Sequence, residues 1–174
     1  GNRQSKGRAL QNMINIQKGD KVCAFIHVKN LSDMEYVQNH YLIFATKNGL
    51  MKKTTLEAYS RPRANGIIAL GLREDDRLIR VTLTDGNSQM LVASYNGKVV
   101  RFPEDTVRPM GRTATGVRAI KLDEDGQDRV VGMICVEKGS KDTVLVISDK
   151  GYGKRTMLDD ETGEPIYRIT NRGG

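Results

Sequence analysis

The sequence predicts an all-β fold, a propeller-like array of four-stranded blades, and two observations carry that prediction. First, one unit of roughly 50 residues occurs three times along the chain, which is typical of repeat architectures. Second, the apolar runs are four to six residues long and are bounded by Gly, Asn and Asp. Runs of this length between such residues favour strands over helices.

Each repeat begins with a loop that is rich in Gly, Arg and small residues and that leads into a short apolar segment. Aligned on Gly7, Gly66 and Gly116, the loops span Asn2–Met13, Arg61–Leu72 and Gly111–Leu122. The second element starts at an acidic residue and continues as an apolar strand. Its copies span Asp20–Val28, Asp76–Thr84 and Asp128–Val136.

The last element of each repeat is a hairpin around a turn glycine, at Gly49, Gly97 and Gly151. Its copies span Tyr41–Thr54, Gln89–Phe102 and Thr143–Thr156. Asn48-Gly49 and Asn96-Gly97 predict type I′ turns with positive φ at both central residues, and Lys150-Gly151 is a weaker version of this signal. The first strands, LIFA, MLVA and VLVI, are apolar at successive positions. We therefore expect both of their faces to be buried between stacked sheets.

These elements divide the chain into one fragment of an array, with repeats at about 1–58, 59–107 and 108–166 and the start of another at 167–174. We expect about three repeats taken from a longer array, with exposed edges at its ends that invite pairing with another copy. A polar insert at Lys29–Asn39 is expected to form a surface loop or a short helical turn. The acidic segment Leu158–Pro165 is expected to form turns.

Composition makes a polyanionic partner plausible and disfavours several other classes. The 174 residues carry a formal net charge of +7. Aromatic residues are 5% and Trp is absent, which disfavours a single-strand binder that stacks bases. The sequence predicts neither a membrane span nor a secretory signal. Cys23 and Cys135 lie in apolar strands, which predicts buried thiols in a reducing compartment.

Acidic and basic residues occupy different repeat positions. The acids cluster at the turn before the second element. The bases follow the hairpin glycine or lie in the loop, and Lys53, Arg101 and Arg155 share one repeat position. Such segregation predicts a basic band that suits the phosphates of a duplex. The alternative, solubilising charge at strand ends, stays open at this point.

No pattern in the sequence predicts a catalytic, metal or cofactor site. His27 and His40 stand apart from carboxylates and thiols at metal-ligand spacing. The run DEDGQD lacks the Gly and Glu of a helix-loop-helix calcium site. KGYGK does not match a nucleotide-binding P-loop.

The segments NGLMKKT, NGKVVRF and KGYGKRT, each followed by a basic loop, resemble the C-terminal domain of DNA gyrase A. The most specific match is Val107–Leu122, and Gly151–Thr156 and Ser5–Ile16 support it. The resemblance implies a six-bladed β-pinwheel whose neighbouring blades exchange strands and whose basic outer rim wraps duplex DNA. It also implies a bacterial, cytoplasmic, chromosome-associated protein whose partners are duplex DNA, the rest of gyrase A, and gyrase B.

The resemblance further implies that this part is not an enzyme by itself. It implies an accessory domain of an ATP-dependent type IIA topoisomerase that introduces negative supercoils. The catalytic tyrosine, ATP and Mg are expected outside this chain. The implied DNA-binding residues are Arg3, Lys6, Arg8, Lys52, Lys53, Arg61, Arg63, Arg101, Arg108, Arg112, Arg118, Lys154, Arg155, Arg168 and Arg172.

One departure from the family pattern leaves alternatives open. The diagnostic Gln-Arg-Arg-Gly-Gly-Lys-Gly box is absent, and Arg3–Arg8 is at best a degenerate repeat of it. Supercoiling competence is therefore open. The alternatives are the C-terminal domain of topoisomerase IV, a protein-interaction propeller and, more remotely, an enzyme with its site in a propeller channel.

Overall fold

The computed structural model describes residues 13–18, 21–61, 67–68, 71–148 and 150–173. Short strands dominate, which confirms the all-β prediction. The strands are β1 Met13–Lys18, β2 Lys21–His27, β3 Tyr41–Thr46, β4 Leu50–Thr55, β5 Ile67–Ile68, β6 Leu78–Thr84, β7 Ser88–Ser94, β8 Val99–Pro103, β9 Val117–Arg118, β10 Val130–Glu137, β11 Thr143–Ile147 and β12 Gly153–Met157. The helical elements are α1 Met34–Asn39 and 3₁₀ turns at Leu56–Tyr59 and Glu104–Thr106.

The sheets are assembled from strands of different repeats. The β3-β4 hairpin takes β6 on one edge and β9 on the other, giving the order β6-β3-β4-β9. The β7-β8 hairpin takes β10 in the same way, giving the order β10-β7-β8. Each of these two hairpins is thus paired, antiparallel, with a strand of the following repeat. That strand belongs to the second element, which starts at an acidic residue, and we call it the acid-led strand. This is the strand exchange between blades that the resemblance implies.

The borrowed strands carry a bulge at one repeat position. The pairing of β3 with β6 skips Ile79, and the pairing of β7 with β10 skips Val131. An extra residue bends its strand and increases the local twist. Both strands that join one repeat to the next, β6 and β10, therefore carry the same bulge.

The hairpin turns correct the expected turn type. The amide of Gly49 donates to the Thr46 carbonyl at 3.2 Å, and the amide of Gly97 donates to the Ser94 carbonyl at 3.1 Å. Each glycine therefore ends a four-residue turn. In the described part of the chain only glycines have positive φ, so Asn48 and Asn96 do not adopt the type I′ conformation. The loop is the longer kind, in which a glycine with positive φ follows the turn.

Two hydrophobic clusters meet at β3, which confirms that both of its faces are buried. Leu42 and Phe44 belong to the first cluster, with Tyr59, whereas Ile43 and Ala45 belong to the second. The alternation follows from the two-residue period of a strand. The equivalent strand of the second hairpin, β7, is likewise buried along most of its length.

The same prediction is wrong for β11. Leu145 is 54% exposed and Ile147 is 62% exposed. Among the described residues β11 pairs with β12 alone, so no acid-led strand covers its other edge. The apolar sequence of a strand predicts burial only where a neighbouring sheet is present.

The polar insert contains α1, a short helix, as one of the two expected forms. The Asp33 carboxylate caps it by accepting from the Tyr36 amide at 3.1 Å. Leu31 and Val37 are nevertheless buried in the first cluster. Part of the insert therefore packs on the core and covers it, which its polar composition did not predict.

Candidate nucleic-acid interface

The loop that precedes β9 crosses the second strand of the first hairpin. The Met110 amide donates to the Lys53 carbonyl at 2.8 Å, and the Ala119 amide donates to the Gly49 carbonyl at 2.8 Å. Gly116 passes so close to β4 that a Cβ atom there would lie 2.4 Å from the Met51 oxygen. Its φ is +99°, so a side chain is excluded by both space and backbone conformation.

A second loop crosses the second hairpin in the same way. The Thr170 amide donates to the Arg101 carbonyl at 2.8 Å, just as Met110 does to Lys53. This loop also contacts the first one. The Gly173 amide donates to the Ala119 carbonyl at 2.9 Å, and the Arg172 guanidinium donates to the Arg118 carbonyl at 2.7 Å.

The two loops, which contact each other, together carry a set of basic residues that we call the loop stripe. All of its guanidinium side chains are exposed except that of Arg172, which is half-buried. The stripe consists of Arg108, Arg112, Arg118, Arg168 and Arg172.

Lys52, by contrast, is buried beneath the first loop and is 1% exposed. Its Nζ donates to the Arg112 carbonyl and lies 4.9 Å from the centre of the Phe44 ring. Burial, together with the nearby Arg112 guanidinium, lowers the pKa of Lys52 from 10.5 to about 8.

Lys53 is buried on the opposite side of β4 and is paired with an acid of the next repeat. Its Nζ lies 3.3 Å from Oε1 of Glu104, which is itself buried. The Glu104 carboxylate also accepts from the Thr84 hydroxyl and, at 3.1 Å, from the Ser88 amide. The pair therefore ties the first hairpin to the second within the protein.

Arg101 holds the same repeat position as Lys53 and has the same kind of role. It is buried, and it donates to the Gln89 side chain at 2.7 Å and to the Leu158 carbonyl at 3.1 Å. It also forms an ion pair of 2.8 Å with Asp159 in the next repeat.

The structure thus departs from expectation at Lys52, Lys53 and Arg101. The resemblance implied that these three side chains face DNA, yet their charges are used inside the fold because neighbouring segments cover β4 and β8. Lys154 and Arg155 occupy the positions of Lys52 and Lys53 in the third hairpin and are exposed. No loop crosses β12 within the described residues. Arg61 is exposed as well, whereas Arg3, Lys6, Arg8 and Arg63 lie outside the described residues.

The acidic turns have a structural role that the sequence did not reveal. One carboxylate oxygen of Asp76 accepts from the amides of Asn48 and Arg77, at 3.0 and 2.8 Å. Asp128 repeats this arrangement with Asn96 and Arg129. Each acid therefore pins the hairpin turn of the preceding repeat, and the acidic band follows from the strand exchange.

A salt bridge and an amide hydrogen bond further stabilise the ionised acids at the second of these turns. Lys98 pairs with Asp123, and this hydrogen bond lowers the pKa of the carboxyl and raises the pKa of the amine. A hydrogen bond from the Asn96 side chain lowers the pKa of Asp125.

Within the described ranges, no three His, Cys, Asp or Glu side chains come together as metal ligands. No helix in that part is long and apolar enough to cross a membrane. Cys135 is a free, half-buried thiol whose pKa is raised by burial, while the side chain of Cys23 is outside the described set.

Comparison with known proteins identifies the family. Residues 40–85, 89–137 and 142–160 match the DNA gyrase C-terminal domain, beta-propeller family. The chain belongs to the DNA gyrase C-terminal domain family. It is 44% identical over 172 residues to the DNA gyrase A protein of Staphylococcus aureus strain NCTC 8325, and equally so to that of strain COL. These matches cover 99% of this chain but 18% of the relatives, so the chain spans less than a fifth of their length.

Solved members of the gyrase and topoisomerase IV group share the fold. The C-terminal domain of DNA topoisomerase IV superposes with a TM-score of 0.73 at 26% identity, covering 96% of this chain and 48% of that one. The DNA gyrase A C-terminal domain superposes with a TM-score of 0.68 at 22% identity, covering 91% and 48%. These neighbours support the β-pinwheel architecture.

Family membership confirms the resemblance, but it does not indicate which bases face a partner. The sequence analysis did not predict that Glu104 and Asp159 pair with Lys53 and Arg101. Each acid lies shortly after the hairpin of the repeat that follows its basic partner. An acid at that position, which strand exchange brings next to Lys53 or Arg101, is the sequence feature that could have predicted the pair.

Proposed function

We propose that this chain binds duplex DNA along the loop stripe, through phosphate contacts and with little base preference. The observation that carries the proposal is the set of exposed guanidinium groups, those of Arg108, Arg112, Arg118 and Arg168, on two loops that are anchored to β4 and β8 by main-chain hydrogen bonds. Anchored cations keep a fixed spacing, as recognition of a regular row of phosphates requires. Solubilising charges have no need of such anchors.

The charges of the stripe are available to a partner. Across the described residues, no ion pair within 4 Å involves a stripe arginine, whereas Lys53, Lys98 and Arg101 are paired with acids. Guanidinium groups without acidic neighbours displace condensed counterions when they meet a duplex. Arg61, Lys154 and Arg155 are further exposed bases that we propose as secondary contacts.

A salt series tests this proposal directly. We expect the affinity for a short fluorescent duplex, measured by anisotropy, to fall steeply with salt and to differ little between sequences. Arg108→Ala and Arg118→Ala should each weaken binding modestly and reduce the slope of log K against log salt by about 0.9. Lys141→Ala removes one exposed charge that is not part of the stripe and serves as the matched control. Binding that ignores salt, or an equal effect of the control, would contradict the proposal.

Beyond binding, we propose that the stripe bends DNA and presents one segment of it to a type IIA topoisomerase core. In this role the chain is an accessory module in the bacterial cytoplasm that works with the rest of gyrase A and with gyrase B. Bending by tens of degrees costs on the order of several kcal/mol, which contacts spread over successive blades would offset. The test is energy transfer between dyes at the two ends of a duplex, in which an unchanged transfer efficiency on saturation would refute bending. The module is expected to need no cofactor, so EDTA should leave binding intact.

One observation favours a second candidate, the corresponding domain of topoisomerase IV, because a structure of that domain superposes well. Ligation of nicked plasmid in the presence of the protein separates the two. A gyrase-type wrap should shift the linking number of the product. A domain that only recognises DNA geometry should bind without shifting it.

A further inference from the structure

Lys52 occupies a position at which the fold does not need a lysine. The equivalent residue of the second hairpin is Val100, which is buried at 6% exposure. In the third hairpin the position is Lys154, which is exposed. Burying an ammonium where valine suffices is unfavourable unless the charge interacts with something specific. Lys52 therefore invites a functional explanation.

The contacts of Lys52 point to the tip of the first loop. Met110 and Val117 anchor the two sides of that loop to β4. Between these anchors, the hydrogen bond from Lys52 to the Arg112 carbonyl ties the tip to the strand. The bond is charge-assisted and shielded from water, which makes it one of the stronger kinds. It fixes the main chain of the residue whose guanidinium is displayed outside.

We propose that Lys52 is a positioning residue of the DNA surface, which holds the 111–116 tip so that Arg112 meets a phosphate. This inference rests on the proposed DNA-binding function and adds to it a buried group that never touches DNA. It predicts that DNA affinity and fold stability respond in opposite directions to removal of Lys52.

Electrostatics adds a signature that a purely structural lysine would lack. Lys52 and the Arg112 guanidinium repel each other, and a phosphate bound at Arg112 would offset this repulsion. Binding of DNA would then favour the protonated lysine, so affinity should fall as pH rises from about 8. Tyr59, which lies against the same Phe44 ring, has a pKa raised to about 12 by burial. The Arg112 guanidinium is thus the charged neighbour whose repulsion of Lys52 a bound phosphate would offset.

The test uses Lys52→Val, which installs the residue of the second repeat. We expect this variant to be at least as stable as the wild type at pH 7, because a buried charge is replaced by an apolar group. We expect it to bind duplex about fivefold to tenfold more weakly. We also expect the decline in wild-type affinity between pH 7.5 and 9 to be absent in the variant. Anisotropy titrations and a thermal melt measure all three quantities.

Several controls separate the possible failures. In the double variant with Arg112→Ala, loss of Lys52 should add little to the loss caused by Arg112→Ala alone, because Lys52 acts through that residue. Lys52→Val with wild-type affinity and pH profile overturns the inference. If Lys52→Val does not fold, Lys52→Met replaces it, because methionine has an unbranched side chain of similar length without the charge. The pH profile of the wild-type affinity tests the inference in either case. Wild-type protein that fails to bind duplex instead refutes the proposed function.

Discussion

At the scale of single residues, the buried ion pairs are the most sensitive points of the molecule. Lys53 and Arg101 each join one hairpin to the next through an acid, Glu104 and Asp159. A buried charge that loses its partner is far more costly than the pair itself is stabilising. The two ties should therefore respond strongly to single changes and weakly to paired ones.

We predict that Glu104→Leu lowers the free energy of unfolding by about 3 kcal/mol because it leaves Lys53 buried without its partner. The double variant Lys53→Met with Glu104→Leu should recover most of that loss. Urea denaturation monitored by circular dichroism measures both. If the free energy of unfolding of Glu104→Leu lies within about 0.5 kcal/mol of the wild-type value, the pair does not stabilise the contact between the two hairpins.

Lys52 gives a pH-dependent prediction at the same scale. Its pKa in the folded state is about 8 and its ordinary value is 10.5, so between these values the unfolded chain holds more protons. Stability contributed through this group therefore rises with pH across that window. The stability advantage of Lys52→Val, roughly 1–3 kcal/mol at pH 7, should shrink as pH rises from 8. Unfolding of both proteins at several pH values checks this, and a constant difference would contradict it.

At the scale of elements, the hairpin turns provide a matched pair. Gly49 and Gly97 both have positive φ, at +86° and +88°. A Cβ atom at Gly49 would lie 3.0 Å from the Ile120 oxygen, whereas one at Gly97 would meet nothing within 4 Å. Alanine at either position adopts an unfavourable backbone conformation at a cost of about 1 kcal/mol. We predict a larger loss for Gly49→Ala, measured by thermal unfolding. Equal losses would mean that the contact relaxes freely.

The acidic residues that pin these turns are a second test of the elements. Asp76 is buried and accepts two amide hydrogen bonds, so Asp76→Ala should cost about 2 kcal/mol. Asp128→Ala removes the equivalent bonds, together with one from the Asp123 amide, but at a more exposed site, and should cost less. Denaturant midpoints of the two variants measure the difference, and the reverse order would show that these bonds do not set the stability of the turns.

The sequence was informative about elements and less so about their surroundings. The order of strands and the burial of β3 and β7 followed from short apolar runs and glycine spacing. The turn type did not, because Asn-Gly fits both a two-residue turn and the longer turn seen here. The burial of Lys52, Lys53 and Arg101 could not be predicted. The local sequence around a basic residue near a strand end is the same whether or not a loop from a distant part of the chain covers it.

At the scale of the whole molecule, β11 leaves an apolar edge exposed. Among the described residues its free edge lacks the antiparallel neighbour that β3 and β7 have, and Leu145, Val146 and Ile147 are each more than half exposed. An open apolar edge favours pairing with another chain. We predict that the isolated chain self-associates with rising concentration and that Ile147→Lys reduces this, as measured by sedimentation velocity. A monomer at every concentration would contradict the prediction.

The borrowed strands also determine what happens when the backbone is cut. A protease nick in the exposed turn between Glu124 and Gln127 would leave β10 on one fragment and the β7-β8 hairpin on the other. The two fragments would still share a hydrogen-bonded sheet, and Thr170 and Gly173 would still bond across the break. The nicked protein should therefore elute as one particle and separate only in denaturant. In this architecture, continuity of the sheets can outlast continuity of the chain.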